Sequence, residues 1–303
     1  MNIWLRRYTK ILTGLTFGLV IAGGLVTSTG SGLAVPDWPL SYGQLMPPMV
    51  GGIRFEHSHR LIASLIGFMT LLLTFWIGWR EKRRWMRWMS IGALGMVVFQ
   101  GILGGMTVLF LLPAPLSIFH GCLAQTFFAW LVVLAYGQSK EWQSKEMIRT
   151  GVTALKQFLL IAFGFVYAQL VLGAAIRHTH NHLLLIPHLI GALIVLVLAI
   201  AILVHVLRHH SAESRLTKPA IFLFALVIAQ LLLGMGSFVY TVVFPKSDLP
   251  ASLSQVFFVT GHQSLGALIL AACVFLTARV FRLDPHAGHE KIATGLLRPS
   301  GAP

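Results

Sequence analysis

Eight apolar runs, separated by polar segments, organise the chain: residues 9–28, 57–79, 88–110, 116–137, 155–176, 183–207, 218–243 and 257–281. Each is long enough for a helix of about 20 residues, which crosses the hydrocarbon core of a bilayer. The pattern predicts an all-α integral membrane protein with eight transmembrane helices in two pseudo-symmetric four-helix bundles. The first run is read as a retained helix, because Pro36-Asp37-Trp38-Pro39 follows it where a cleaved leader would show small residues.

Composition agrees: of 303 residues, 56% are hydrophobic and 11% charged, against about 25% charged in a soluble domain. The net charge of +14 would suit nucleic acid, but its placement points elsewhere. Every basic residue except Arg54, Arg60, Arg177 and Lys246 lies at or before the start of helix 1, at or after the end of helix 8, or within or bordering the segments that join helices 2 and 3, 4 and 5, and 6 and 7. By the positive-inside rule both termini are cytoplasmic and the loops after odd-numbered helices face outward. The basic excess is then a topology signal and an attraction to anionic lipid. This places the chain in the cell (plasma) membrane, with the lipid bilayer and no nucleic acid as partner. Cys122 and Cys273 both fall within predicted helices, which leaves no loop disulfide and disfavours a thiol metal site.

One motif recurs along the chain. Helices 3, 5 and 7 carry Gln100-x-x-x-Gly104, Gln169-x-x-x-Gly173 and Gln230-x-x-x-Gly234, and helix 1 carries Gly23-Gly24 without the glutamine. The even helices carry His59, His120, His188 and His262 near their outer ends. This is an internal repeat of helix pairs, two pairs to a half, with the halves related by an axis along the membrane normal. The expected organisation is an N-terminal half over residues 1–140, a C-terminal half over 150–285 and a cytoplasmic tail over 286–303. A small residue follows each histidine by about one turn (Ala63, Ala124, Gly191, Gly266), read as a bare patch where a flat macrocycle could lie.

Four equivalent histidines form two facing pairs on neighbouring helices, an arrangement that ligates a haem iron from both sides. For any single histidine, a bond to the adjacent helix is the plainer reading; its recurrence at four repeat positions favours the ligand. Zinc would need four ligands in one place, and the repeat keeps the pairs apart. The first half also has Glu56-His57-Ser58-His59-Arg60. Glu56 and His59, three apart, share a helix face while His57 points elsewhere, which makes Glu56 and His59 the candidate active-site pair. The alternative is that Glu56 only complements the helix dipole. The long outer segment before it, with Asp37, Trp38, Pro39 and Tyr42, reads as a lid or binding element, or as interfacial anchors. His178, His180 and His182 are taken as surface residues of an outer loop, and His205, His209, His210, His286 and His289 as solvated on the cytoplasmic side.

Eight helices in two halves, a histidine on each even helix, Glu-x-x-His opening helix 2, the Gly-rich end of helix 1, the Pro36-Asp37-Trp38-Pro39 loop and Pro187-His188 together resemble the haem A synthase family. The resemblance covers roughly residues 5–282. It implies conversion of haem O into haem A, with a porphyrin methyl group oxidised to a formyl group by successive hydroxylations. It further implies that His188 and His262 hold a haem b, with its iron, and that His59 and His120 flank the substrate haem O. Glu56 would stand near the reacting methyl, accepting a proton or stabilising positive charge. Some members carry a cysteine pair in the first outer loop; residues 29–56 here have none, so the chain resembles the branch without it and a thiol relay is excluded. A bis-histidine cytochrome b-type electron-transfer protein is the alternative, though it needs neither Glu56 nor the long loop. A transporter is disfavoured because the polar residues cluster at helix ends and not at broken centres. A haem O synthase, an unidentified electron donor and a homo-oligomeric partner are compatible with the pathway, and no motif specifies them.

Overall fold

The computed structural model describes residues 3–144, 147–148, 151–244 and 251–284. The expected tail over 286–303, with His286 and His289, lies outside the described residues. Among them, eight long helices carry the fold: α1 (Ile3–Ser28), α2 (Ile53–Arg80), α3 (Arg84–Leu109), α4 (Ala114–Gly137), α5 (Thr153–Thr179), α6 (Leu185–His209), α7 (Ser214–Phe238) and α8 (Leu253–Leu283). All eight are long and apolar enough to cross a membrane, and the described residues contain no strand. The protein is an all-α, multi-pass membrane protein. Apolar side chains stand exposed at helical spacing on the outer faces, Phe68, Leu72, Phe75 and Trp79 on α2 and Leu189, Leu193, Val197, Ile200 and Val204 on α6. Such stripes suit lipid as the surrounding solvent.

Local chemistry sets the helix ends. Pro115 sits in the first turn of α4, where its missing N–H is no loss. The Ser252 hydroxyl accepts from the Gln255 N–H at 3.2 Å and starts α8. α5 stops at His180, whose left-handed conformation (φ 53°) turns its N–H back to the Ile176 carbonyl.

In the first half α1 packs on α2 and α4, and α3 packs on α2 and α4; α5 to α8 repeat the same cycle. The halves meet where α1 and α4 touch α8, and α4 touches α5. Each bundle fills with large apolar side chains toward the end where α1 begins and α8 finishes, the near end. Leu12, Ile66, Leu73, Ile77, Met86 and Leu131 serve the first half; Leu155, Leu159, Ile202, Leu216, Leu270 and Leu276 serve the second. Lipid is as apolar as leucine, so close packing, not burial from water, holds these helices together.

A polar latch closes the same end. Between α4 and α5 a short helix, Lys140–Gln143, presents Glu141, which pairs with Arg279 of α8 at 2.6 Å and accepts from the Tyr136 hydroxyl at 2.8 Å. Arg282 donates to the Trp142 and Ser144 carbonyls at 2.8 and 2.6 Å. With the near end packed and latched, the opposite, far ends of the bundles hold glycine, histidine and the long loop.

Candidate functional site

Each of the four repeat histidines lies against a glycine of the helix before it. A Cβ on Gly23 would stand 3.1 Å from His59 Cε1, on Gly104 3.3 Å from His120 Cε1, on Gly173 3.4 Å from His188 Cε1, and on Gly234 2.9 Å from His262 Cε1. At Gly23, Gly104 and Gly234 a side chain would press on the imidazole, and at Gly173 it would just reach ordinary contact. His59 and His120 stand on α2 and α4, and His188 and His262 on α6 and α8. In each four-helix cycle these are the diagonal partners, not the neighbouring helices expected from the sequence. Diagonal helices face each other across the bundle interior, so the correction improves the geometry for a shared ligand.

The His188 and His262 rings are 6.3 Å apart between centroids, with planes at 74°. Two imidazoles bound to opposite sides of one metal by bonds of about 2 Å hold their centroids about 6 Å apart. His262 Nδ1 lies 3.1 Å from the Gln230 carbonyl. A carbonyl only accepts, so Nδ1 carries the proton and Nε2 carries the lone pair, 3.5 Å from the Gln230 side-chain amide. His59, His120 and His188 differ from His262, because their buried Nδ1 has no protein partner. His59 and His120 are close enough to interact electrostatically. Among the described residues no group of three or more His, Cys, Asp or Glu could hold a metal ion. The donor sets are therefore pairs, which fits an iron whose other four ligands come from a porphyrin.

Two of the small residues that follow the histidines border the repeat glutamines. A Cβ on Gly191 would meet Gln169 Nε2 at 1.8 Å, and one on Gly266 would meet Gln230 Nε2 at 3.4 Å. They make room for the repeat glutamines, and the bare surface beside each ring belongs to the glycine of the odd helix. Gln100 likewise donates to the His120 carbonyl at 2.8 Å.

Over the first half the segment between α1 and α2 folds as a lid. Asp37 closes a turn by accepting from the Tyr42 N–H at 2.6 Å and the Gly43 N–H at 2.8 Å. The Gly43 bond is the main reason its carboxyl lies below the ordinary carboxylate pKa. Gly43 at φ 69° supplies a conformation that side chains rarely adopt. Arg60 of α2 donates Nη1 to the Asp37 and Leu40 carbonyls, at 2.7 and 2.8 Å, and Nη2 to the Val35 carbonyl at 3.2 Å. Trp38 reaches α3, where a Cβ on Gly105 would stand 2.7 Å from its indole, one residue from the glycine that backs His120.

Glu56 is 3% exposed. Its Oε2 accepts from the Val35 N–H at 2.9 Å and its Oε1 pairs with Arg60 Nη2 at 2.5 Å. The structure shows no hydrogen bond from Glu56 to His59. His57 is buried with Nδ1 2.8 Å from Ser41 Oγ, so it too holds the loop.

The remaining histidines divide. His180 and His182 are exposed, as expected. His178 is not a loop residue: it lies in the last turn of α5 and is half-buried. At the near end His210 is buried and His205 half-buried, with ring centroids 5.8 Å apart, because they pack on α6 and the following turn; His209 alone of these three is exposed. Sequence reasoning also passed over Arg177. Its Nη1 donates to Gln263 Oε1 of α8, and its Nη2 to the Gly24 carbonyl (3.1 Å) and Ser28 Oγ (2.6 Å) of α1. The available signal was a lone cation near the end of an apolar run.

Comparison with known proteins follows this geometry. Residues 6–51 and 53–195 match the family model COX15-CtaA, described as cytochrome oxidase assembly protein. A protein of Alkalihalophilus pseudofirmus named heme A synthase is 26% identical over 311 residues, covering 93% of this chain and 99% of that one. Proteins of the same name from Halalkalibacterium halodurans and Geobacillus kaustophilus are 29% and 25% identical. The first alignment covers 77% of this chain and 87% of the relative, the second 91% and 94%.

Proposed function

The chain belongs to the COX15-CtaA family of cytochrome oxidase assembly proteins, and from that premise we propose that it is a haem A synthase. It is an oxidoreductase of the membrane that converts haem O into haem A, turning a methyl group on the porphyrin into a formyl group. The observation that carries the reading is the pairing of diagonal histidines, each backed by a glycine, in both bundles. An electron carrier would need only one such pair and no lid.

We assign a resident haem b to His188 and His262 in the half over 150–285, and the substrate haem O to His59 and His120 in the half over 1–140. When bound, the haem b supplies one-electron redox chemistry beside the substrate. The protein supplies the rest. His262 is fixed in the ligating tautomer by the Gln230 carbonyl. His59 and His120 would hold the substrate iron in the half that the loop covers. Trp38 and the Asp37 turn exclude water from that site, and Arg60 ties the lid to α2. Glu56 is the carboxylate that serves the reacting methyl, and because it shares its oxygens with Val35 and Arg60, its position depends on a closed lid. The charge distribution supports cytoplasmic termini, with lid and histidines facing outward. A haem O synthase upstream and an electron donor are the partners this chemistry requires.

The test is to co-express the chain with a haem O synthase in a host that lacks haem A, then to extract and weigh the haems. The expected product has the formyl mass and is lost in His59→Ala and Glu56→Gln proteins. Recovery of haem b alone from folded protein would overturn the reading.

A further inference from the structure

The helix cycle brings a guanidinium to the far end of the seam between the halves. Arg177 lies one turn beyond Gly173 on the same face of α5, and Gly173 backs His188. Its Nη1 donates to Gln263, the residue after His262, and its charge is felt at His262. Arg177 therefore stands near the end of α8 that carries His262, one turn beyond the glycine that backs His188. Three of its five N–H donors point at the neutral acceptors Gln263 Oε1, Gly24 O and Ser28 Oγ. No ion pair to a carboxylate engages it among the described residues.

A charge inside a membrane bundle is costly and normally meets an opposite one. Neighbouring carbonyl, amide and hydroxyl groups orient Arg177 without neutralising it, and two donors remain for a ligand. A porphyrin brings carboxylates on one edge. We propose that Arg177 binds a propionate carboxylate of the haem held between His188 and His262; the inference rests on the reading of that pair as a haem site. Arginine suits the task because its planar fork meets a carboxylate with directed, charge-assisted bonds. The bonds to Gly24 and Ser28 tie the anchor to α1, so that binding in the second half also braces the first.

The test compares ferric haem b with its dimethyl ester, in which the propionates are esterified, on full-length protein carrying His59→Ala and His120→Ala so that one site is titrated. The readout is the absorption band of bis-imidazole haem, together with the dissociation rate after transfer to an excess of apomyoglobin. With Arg177 intact, haem b should bind about tenfold or more tightly than the ester, as loss of a charge-assisted bond predicts. In Arg177→Gln that preference should fall to about twofold or less, on the same scale. Equal binding of haem b and ester with Arg177 intact would overturn the proposal, and so would a full preference surviving in Arg177→Gln. If the glutamine variant does not fold, the comparison on the Arg177 protein still decides. If that protein binds neither compound with a bis-imidazole spectrum, the second-half haem assignment itself fails.

Discussion

Gly234 is the most demanding of the four glycines behind the histidines, and Gly234→Ala is the sharpest perturbation. The new methyl would lie 2.9 Å from His262 Cε1 and 3.2 Å from Nδ1, where carbon atoms rest at about 3.5–4.0 Å. The ring must retreat by about 0.6 Å to relieve the nearer contact, whereas a metal site tolerates about 0.2 Å. Retreat also stretches the 3.1 Å bond from Nδ1 to the Gln230 carbonyl, which fixes the tautomer. Overpacking of this kind costs about 1–3 kcal/mol, equivalent to about 5- to 150-fold in affinity. Gly173→Ala places its methyl 3.4 Å from His188 Cε1, already near ordinary contact, and should cost less than about threefold. Gly164→Ala, with nothing within 4 Å, is the control and should be neutral or stabilise α5 by about 0.5–1 kcal/mol. Titration of ferric haem b into each protein, followed by the bis-imidazole absorption band, measures the series. Equal losses in Gly173→Ala and Gly234→Ala, or none in either, would refute the view that these glycines set ring position.

In the Glu56–Arg60 pair Glu56 is buried and Arg60 half-buried, and each keeps bonds to the loop backbone when the other is removed. Glu56→Ala and Arg60→Ala should each lower stability by about 1–3 kcal/mol, with the double variant short of additive, as thermal unfolding in detergent would show. Glu56→Gln keeps the shape: loss of haem A formation with the 29–52 loop still protease-resistant marks a role at the methyl, and loss with an opened loop marks a role in the lid. Asp37 titrates below its ordinary value of 3.8. Its stabilising effect on the loop is therefore complete above that value and lost as pH falls through the lower, folded one. Loop protection from an acid-active protease should hold flat from neutral pH to about 5 and decline below about 4, and Asp37→Asn should remove the pH dependence. Trp38→Ala should raise the KM for haem O while leaving haem b retention unchanged; an equal loss of haem b would show that Trp38 does not act on the first half alone.

The eight helices were legible because a spanning helix must satisfy its own backbone and so announces itself as an apolar run. The edges were less so: the run 257–281 belongs to a helix that starts at Leu253, where the Ser252 cap and not hydrophobicity sets the boundary. The four histidines were found through the repeat, but periodicity within one helix does not tell which helices adjoin, and the pairs proved diagonal. The Gln-x-x-x-Gly signature was visible while its use was not, since a glycine shows its purpose only when the imidazole it admits is placed beside it. Arg177 was hidden more deeply. Two of its partners, Gly24 and Ser28, lie about 150 positions earlier in the chain, and no local pattern links them.

What surrounds equivalent histidines supports the proposed division of labour between halves. All four rings rest on glycine within the same few tenths of an ångström, so ring placement does not distinguish a resident haem from a substrate. Ring fixation does. Only His262 among the four has a protein acceptor for Nδ1, and such outer bonds carry about 10- to 100-fold in metal affinity. At the position one turn before the glycine, α7 offers the Gln230 side chain, whose amide lies 3.5 Å from His262 Nε2, and α1 offers Leu19, which has no polar side chain. The second-half ligand is thus held in one tautomer, beside a cation from α5, while the first-half ring is left without that support under a cover. A bundle that must release its product benefits from weaker fixation and a removable lid. One that keeps its haem benefits from the reverse.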